Sequence, residues 1–273
     1  MKDTLQRTPL NVLLIGDSCT DEYAYGDCNR LSPEAPIPVF DYKYETATGG
    51  MVCNVYRNLV ALSCEVYLST GDPKSSVKRR FIDIKSRQQV LRVDTLMDTY
   101  DWGVSYDPLV RYDALVISDY DKGFIKDSDI VTLKDRFEDV PIVVDSKRKD
   151  LSIYSGCILK INEYEYERSQ PRLDEYEAVV VTKGSGSVDL YCKGFHVNYD
   201  VPDVDVFDVT GAGDVFLAAL SYYMVRDEQA NSDLAFPLGK AIEKAACLAS
   251  VSVMHRGTYT LSKKDIENVD ICF

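Results

Sequence analysis

Short apolar runs recur along the chain, and each is followed by polar or glycine residues. The first run covers residues 11–15, and similar runs cover 114–117, 141–144, 157–161 and 178–181. Runs of four or five residues rich in valine and isoleucine predict buried strands, and the segment 126–137 between two of them predicts a helix. Strands that alternate with helices indicate an α/β protein with a mostly parallel central sheet.

Two stretches interrupt this alternation. Residues 32–38 contain three prolines, and residues 39–44 then alternate between apolar and polar side chains. Residues 80–94 have the composition of one or two strands. Because proline disfavours a helix and alternation indicates a half-exposed strand, these stretches predict a small β lid outside the core, formed by about 20–47 and 80–105.

Helices are predicted for most of the remaining chain. The pair Gly49-Gly50 is expected to open a helix that continues to Leu62. The last third is predicted to be helical over 211–226 and 233–255, and the capping signal Ser262-x-x-Asp265 starts a shorter helix. We therefore expect one domain over residues 1–273, with the lid inserted in it.

Composition and charge exclude several classes of function. The 273 residues carry a formal net charge of −13, which argues against a nucleic-acid partner. No apolar run is long enough for a membrane span or a signal peptide, so we expect a cytoplasmic protein without a membrane partner. The eight cysteines lack metal-ligand spacing, and only two histidines exist, which disfavours a zinc site or a histidine-based triad.

Polar residues follow several of the predicted strands. Because the carboxyl ends of parallel strands meet at one edge of a sheet, where ligands bind, these residues predict a site there. Asp17 is a candidate contact for sugar hydroxyls, and Asp21 serves equally well as a contact or as a cap of the next turn. The residues that follow the strands are Asp17, Ser118-Asp119-Tyr120, Asp145, Asn162 and Thr182-Lys183-Gly184.

The segment Phe207–Asp214 combines two glycines with an aspartate at the start of a predicted helix. Free amide groups at a helix start attract anions, so Gly211, Ala212 and Gly213 can hold a phosphoryl group. A carboxylate beside such a group can accept the proton of an attacking hydroxyl. The alternative is a tight turn with Asp214 as an ordinary first-turn residue.

Asn162 and Glu165 lie three residues apart on a short predicted helix. This pair could hold hydrated Mg²⁺ over phosphates. On spacing alone, an asparagine cap with an acidic first turn is the better explanation. Asn54, shortly after Gly49-Gly50, can reach the same ligand from its helix.

Together these segments resemble the ribokinase-like family of sugar kinases, and within it most closely the heptose 7-phosphate kinases. Residues 208–214 match the family's C-terminal signature, and Gly49-Gly50 matches its N-terminal one. The more specific matches are Gly16-Asp17-x-x-x-Asp21-x-Tyr23-x-Tyr25-Gly26-Asp27, the segment 30–39, Ser86-Arg87-Gln88-Gln89 with Arg92-Val93-Asp94, and Ser118-Asp119-Tyr120-x-Lys122-Gly123.

The resemblance implies an ATP- and Mg²⁺-dependent kinase with a Rossmann-like ribokinase fold that converts heptose 7-phosphate to the 1,7-bisphosphate. In that scheme Asp214 is the base, and Gly211, Ala212 and Gly213 hold the transferred group. The nucleotide side comprises Asn162, Glu165, Lys183, Gly184 and Thr210, with Asn162 and Glu165 organising Mg²⁺ through water and Asp208 near a site for K⁺. The sugar side comprises Asp17, Gly49, Gly50, Asn54, Arg87 and Asp119, with Arg87 beside the sugar's own phosphate.

Departures from the family pattern keep other functions open. Met51, Val52 and Cys53 stand where the branch has small residues, and the chain is shortened near 72–80 and 168–177. The alternatives are a kinase of another sugar or nucleoside, and a non-catalytic homologue that binds nucleotide or sugar phosphate. Retention of Asp214 and Asn162 disfavours the non-catalytic alternative. The resemblance also implies a homodimer formed through the lid.

Overall fold

A computed structural model of the chain describes residues 8–96, 103–227 and 235–272. The strands are β1 Asn11–Gly16, β2 Ser18–Leu31, β3 Pro38–Met51, β4 Glu65–Thr70, β5 Ser76–Asp83, β6 Gln89–Leu96, β7 Ala114–Asp119, β8 Ile142–Ser146, β9 Ile158–Asn162, β10 Ala178–Thr182, β11 Ser187–Cys192 and β12 Phe195–Asp200. The helices are α1 Val52–Ala61, α2 Asp127–Arg136, α3 Glu163–Ser169, α4 Ala212–Asp227, α5 Ala235–Val253 and α6 Lys263–Cys272.

The main sheet has the strand order β12-β11-β10-β9-β8-β7-β1-β4. Neighbouring strands from β4 to β10 are parallel, and only β11 and β12 pair antiparallel at one end. The apolar runs read from the sequence are therefore central strands that helices cover on both faces, which explains their continuous hydrophobicity. The predicted mostly parallel α/β fold is confirmed.

Successive residues of β1 point to opposite faces of this sheet and build two separate cores. Val12 and Leu14 pack with side chains of α1, α4, α5 and α6, whereas Leu13 and Ile15 pack with those of α2. Alternation of this kind follows from the period of two in a strand. The main sheet is thus a layer between helices, and all of its parallel strands end at one edge.

A second sheet, here called the outer sheet, has the order β3-β2-β5-β6. It was predicted as a lid of about 20–47 and 80–105, and its strands run over 18–51 and 76–96. Residues 97–102 lie outside the described ranges, and Ser105 donates its backbone amide to the side chain of Ser69 in the core. The segment from 103 therefore belongs with the main sheet rather than with the outer one.

Two boundaries differ from the sequence prediction. Gly49 and Gly50 still pair with Thr20 and Cys19 in the outer sheet, so α1 begins at Val52 rather than at the glycines. The connection after β4 is a single 3₁₀ turn, Pro73–Ser75, which leads straight into β5. This shortened connection leaves β4 as an edge strand of the main sheet. The start predicted for α5, residue 233, lies outside the described residues.

Among the described residues, no helix combines the length and the apolar composition that a bilayer crossing requires.

Candidate active site

Asp214 lies in the first turn of α4, and only 5% of it is exposed. The hydroxyl of Tyr120 donates to its Oδ1 at 2.8 Å, and the Nδ2 atom of Asn54 donates to its Oδ2 at 3.1 Å. These donors come from the loop after β7 and from the first turns of α1. Three distant segments therefore fix one carboxylate at the edge where the parallel strands end.

Burial raises the pKa of Asp214, although the hydrogen bonds from Tyr120 and Asn54 act in the opposite direction. A buried carboxylate is a stronger proton acceptor than a solvated one because its charged form is poorly stabilised. Burial and the adjacent carboxylate also raise the pKa of Tyr120, so the phenol keeps its proton and acts as a donor. This environment suits the role of general base predicted for Asp214.

The turn before α4 is held by Asp208, which accepts hydrogen bonds from the backbone and hydroxyl of Thr210 and from the amide of Gly257. Burial opposes ionisation of Asp208, but these hydrogen bonds outweigh it and lower its pKa. The amide of Ala212 donates to the carbonyl of Val209 at 3.3 Å. The anion-binding role of these amides and the K⁺ site near Asp208 stay predictions.

Gly211 has a φ of 81°, which favours glycine, and a side-chain carbon at this position would lie 2.6 Å from the Nδ2 atom of Asn54. Gly194 has nearly the same φ, 80°, in the hairpin between β11 and β12, with no atom within 4 Å of such a carbon. The two glycines therefore form a matched pair, one at the site and one outside it.

We expect Gly211→Ala to destabilise the fold more than Gly194→Ala and to lower turnover as well. Both variants carry a backbone cost of about 1–2 kcal/mol for positive φ. Only Gly211→Ala also displaces Asn54 from Asp214, which adds about 1 kcal/mol. Thermal unfolding and kcat measure the two effects, and equal behaviour of the variants would contradict the described packing.

Asn162 and Glu165 form a reciprocal capping box at the start of α3. The Oδ1 atom of Asn162 accepts from the backbone amide of Glu165 at 2.8 Å. The Oε2 atom of Glu165 accepts from the backbone amide of Asn162 at 2.9 Å. The Oε1 atom of Glu165 lies 2.7 Å from the ammonium of Lys147. The helix-cap explanation of this spacing is thus realised, and the predicted Mg²⁺ role stays a prediction.

A buried charge network next to these residues was missed at the sequence level. Asp145 pairs through Oδ1 with Lys147 at 2.7 Å and through Oδ2 with Lys160 at 2.5 Å. Lys160 is 2% exposed, and its ammonium also lies 3.4 Å from the carbonyl oxygen of Gly213. The available signal was a lysine inside the apolar run 157–161, because a buried charge requires a partner.

An apolar cavity of about 320 Å³ lies on one side of the first turn of α4. Ala212, Gly213 and Gly184 line it together with apolar side chains that include Val188, Val201, Pro202, Val206, Phe216 and Val253. Lys183, predicted to meet nucleotide phosphates, instead pairs with Asp189 at 2.6 Å. The cavity has the apolar lining and the size that suit a planar heterocyclic base.

A second, basic cavity of about 250 Å³ is lined by residues of the outer sheet and of the segments after β7 and β8. Tyr120 lines it, and the ammonium groups of Lys78 and Lys147 lie 5.4 and 5.5 Å from the centre of its ring. The lining residues are Met51, Ser76, Lys78, Arg92, Asp94, Leu96, Tyr120, Lys122 and Lys147. Arg92 pairs with Asp94 at 2.7 Å, and Lys147 pairs with Asp145 and Glu165. Lys78 and Lys122 have no described ion pair, and these two cations favour an anionic ligand.

Arg87, predicted to contact a sugar phosphate, is not among these lining residues. It is exposed in the turn between β5 and β6 with a φ of 60°, and its carbonyl accepts from Arg256 at 3.0 Å. The polar turn 84–88 ends the hairpin instead of facing the cavity. The structure places Lys78 and Arg92, on the two strands that the turn joins, at the cavity.

The predicted sugar contacts Asp17 and Asp119 are engaged within the protein. Asp17 accepts the amides of Tyr120, Lys122 and Phe124 at 2.8, 3.2 and 3.3 Å, and thereby shapes the loop after β7. Asp119 accepts from Tyr154 and Arg148, both at 2.5 Å. Asp17 therefore holds the loop that supplies Tyr120 and Lys122 to the basic cavity, whereas neither Asp17 nor Asp119 lines that cavity. Their contacts with a sugar stay predictions.

The paired glycines lie at the end of β3, just before α1, and not in the helix that they were predicted to open. The carbonyl of Gly49 accepts from Arg57 at 2.8 Å, and a side-chain carbon on Gly50 would lie 2.0 Å from the Oδ2 atom of Asp21. Asp21 is not in the basic cavity; it pairs with Arg80 at 2.5 Å. Gly50 is therefore required for the close approach of β3 to the buried Asp21–Arg80 pair.

Part of the chain that contains Asp214 is similar to known carbohydrate kinases. Residues 159–265 match the model of the pfkB family carbohydrate kinases. The chain is 28% identical to the bifunctional protein HldE of Campylobacter jejuni strain RM1221, over 98% of this chain and 66% of that protein. It is 29% identical to HldE of Geobacter metallireducens, over 94% of this chain and 62% of that protein. The chain thus spans less than two thirds of the length of these relatives.

Solved structures share the fold at low sequence identity. Phosphofructokinase-2 from Escherichia coli in complex with potassium superposes with a TM-score of 0.71 at 14% identity, covering 97% of this chain and 98% of that one. Arabidopsis thaliana ribokinase complexed with ribose and ATP gives a TM-score of 0.68 at 14% identity, covering 96% and 99%. The C-terminal part of the chain is thus similar to the pfkB family carbohydrate kinases, and the whole chain has the fold of these solved kinases.

Proposed function

We propose that the protein transfers the γ-phosphoryl group of ATP to a hydroxyl of a sugar phosphate. The observation that carries this proposal is that residues next to Asp214 line two different cavities. Ala212 and Gly213, the two residues before it, line the apolar cavity, and Tyr120, which donates to Asp214, lines the basic one. A base between a nucleotide site and an acceptor site is the arrangement that phosphoryl transfer requires.

In this reaction one carboxylate oxygen of Asp214 accepts the proton of the attacking sugar hydroxyl. The hydroxyl oxygen bonds to the γ-phosphorus of ATP as the bond from that phosphorus to the bridging oxygen breaks and ADP leaves. Tyr120 and Asn54 hold the carboxylate in position, so little reorganisation is needed at that moment. Gly211, Ala212 and Gly213 present the start of α4 to the transferred group, where a helix N-terminus favours negative charge.

The donor set is compatible with Mg²⁺ bound largely through phosphates and water. Asp145 and Glu165 each direct one oxygen to the same point, and carboxylate oxygens are the ligands that Mg²⁺ prefers. The described residues contain no group of three or more metal-binding side chains, so the protein would supply only part of the coordination. Bound Mg²⁺ would neutralise charge on the phosphates, and K⁺ near Asp208 remains part of the proposal.

For the acceptor we propose heptose 7-phosphate, converted to the 1,7-bisphosphate. The support is the resemblance in residues 16–39, 86–94 and 118–123 together with the basic cavity, to which the last two of these segments contribute lining residues. Met51 favours a second candidate, a different sugar or a nucleoside, because it is buried, has a φ of 54° and lines the cavity. A methionine there reduces the space beside the acceptor.

A panel of acceptors tests this proposal. ATP consumption is measured with sugar 7-phosphates, their unphosphorylated counterparts and nucleosides, and we expect acceptor-dependent ADP formation with the heptose phosphate. Turnover with another acceptor would support the kinase activity but identify a different substrate. Nucleotide binding without turnover on any acceptor would favour a non-catalytic homologue.

We expect Lys78→Met to raise KM for a phosphorylated sugar by roughly tenfold or more, because a charged hydrogen bond contributes about 1.5–3 kcal/mol. Its effect on the unphosphorylated sugar is expected to be small. Arg87→Met is the matched control, because Arg87 is a cation in the turn that joins β5 and β6 and does not line the cavity. A KM that rises for Arg87→Met instead would restore Arg87 as the phosphate contact.

We further propose a cytoplasmic homodimer that forms through the outer sheet. Large apolar side chains are exposed on this sheet, including Leu31, Ile37, Tyr42, Tyr44, Val90, Leu91, Val93 and Leu96. Exposed apolar area of this kind is typical of an association surface. Light scattering of the purified protein tests this proposal, and Leu91→Glu is expected to shift a dimer towards monomer.

A further inference from the structure

The ammonium of Lys147 lies between two carboxylates at equal distances. Its Nζ atom is 2.7 Å from Oδ1 of Asp145 and 2.7 Å from Oε1 of Glu165. The other oxygens are engaged elsewhere, since Oδ2 of Asp145 accepts from Lys160 and Oε2 of Glu165 accepts from the Asn162 amide. Each carboxylate thus directs its remaining oxygen at the same point, and a cation of the protein occupies that point.

Charge balance at this point disfavours a second cation. Asp145 and Glu165 carry two negative charges, and Lys147 and Lys160 carry two positive ones, so the four groups sum to zero. A divalent ion would need the same two oxygens at about 2.1 Å and would meet a like charge there.

The side chain of Lys147 also has open space beside it. It is 28% exposed and lines the basic cavity, where it lies 5.5 Å from the ring centre of Tyr120. Lys160 differs in this respect, because it is 2% exposed and enclosed beneath the first turn of α4. Only one of the two lysines on Asp145 can therefore move into the acceptor space.

We propose that Lys147 competes with the divalent metal for the oxygens of Asp145 and Glu165. In the nucleotide-free protein the ammonium holds this position and keeps divalent metal out. The phosphates of an incoming nucleotide add the negative charge that lets metal bind at these two carboxylates. The ammonium of Lys147 is then released towards an anionic ligand in the basic cavity. This inference rests on the proposed kinase function for its purpose, but it makes a statement about metal binding that needs no turnover.

The test uses Mn²⁺ as a probe and measures free ion by electron paramagnetic resonance in the whole protein without nucleotide. Wild type is expected to bind Mn²⁺ weakly, and Lys147→Met is expected to bind one Mn²⁺ at least tenfold more tightly. Lys122→Met is the matched control, because Lys122 lines the same cavity but forms no described ion pair with Asp145 or Glu165. Its Mn²⁺ affinity is expected to equal that of wild type.

Two further variants keep the result interpretable. Lys147→Arg retains a cation and is expected to bind Mn²⁺ as weakly as wild type does. Adding Glu165→Gln to Lys147→Met removes one of the two converging carboxylates and is expected to abolish the gain. Circular dichroism and thermal unfolding verify that each variant is folded.

Equal Mn²⁺ affinity in wild type and folded Lys147→Met would overturn the inference, as would an equal gain in Lys122→Met. Either result would leave the proposed kinase function untouched, because acceptor-dependent turnover is measured separately. Conversely, a protein without kinase activity could still show the tenfold gain, so the two proposals fail independently.

Discussion

Asp214→Asn is expected to lower kcat by about a thousandfold while ATP binding is preserved. The asparagine amide keeps the size of the side chain but cannot accept a proton, and general-base catalysis contributes about 10²–10⁴ in rate. ATP binding is measured by calorimetry and turnover by ADP release in the presence of acceptor. A kcat within tenfold of wild type would contradict the assignment of Asp214 as the base.

Tyr120→Phe provides the control for geometry. It removes the hydroxyl that donates to Oδ1 of Asp214 at 2.8 Å but leaves the carboxylate able to accept a proton. One hydrogen bond contributes about 1–1.5 kcal/mol, so we expect a loss of about tenfold in kcat. If Tyr120→Phe lost as much activity as Asp214→Asn, positioning rather than proton transfer would account for both.

Asp145→Ala is expected to destabilise the fold by about 3–5 kcal/mol, the cost of leaving a buried charge without its partner. Lys160 is 2% exposed and would retain only the carbonyl of Gly213 at 3.4 Å. Urea unfolding of the purified variant measures the loss. Adding Lys160→Met should recover part of it, because the stranded ammonium is then removed as well.

The matched control is Asp174→Ala at the protein surface. Asp174 pairs with Arg172 at 3.5 Å, and the side chains of both residues are more than 70% exposed. An exposed pair contributes about 0–1 kcal/mol, so its removal is expected to have little effect. Equal losses for Asp145→Ala and Asp174→Ala would show that the Asp145 network contributes no more than a surface ion pair.

The strands and the site edge could be predicted because they depend on local patterns. Apolar runs of four or five residues had to be buried on both faces, and a parallel sheet gathers their carboxyl ends at one edge. The sequence alone therefore located Asp214, Asn54 and the glycine turn in one region. The boundary of α1 could not be predicted in this way, since Gly49 and Gly50 are held in the outer sheet by pairing with β2.

The partners of individual polar side chains depend on tertiary packing, which no local pattern records. Asp17 and Asp119 both follow strands of the main sheet, yet one holds a loop through three backbone amides and the other is enclosed by Tyr154 and Arg148. The spacing of Asn162 and Glu165 correctly predicted a helix cap, and it did not indicate that Lys147 would reach Glu165.

The basic cavity was missed for a related reason. Its cations come from β5, β6, the loop after β7 and the end of β8, so they are separated by up to 69 positions between Lys78 and Lys147. Arg87 belongs to one of the segments that carry the resemblance, but this segment forms a turn, and the carbonyl of Arg87 accepts from Arg256. Only the folded chain brings the four cations together.

The most direct test of the central claim is ³¹P nuclear magnetic resonance of the protein with ATP, Mg²⁺ and heptose 7-phosphate. We expect loss of the γ-phosphate signal of ATP with equal growth of a second phosphate-ester signal on the sugar. With the Asp214→Asn variant, we expect no growth of that second signal. A γ-phosphate signal that is unchanged with every acceptor, or that is lost at the same rate in Asp214→Asn, would contradict the central claim.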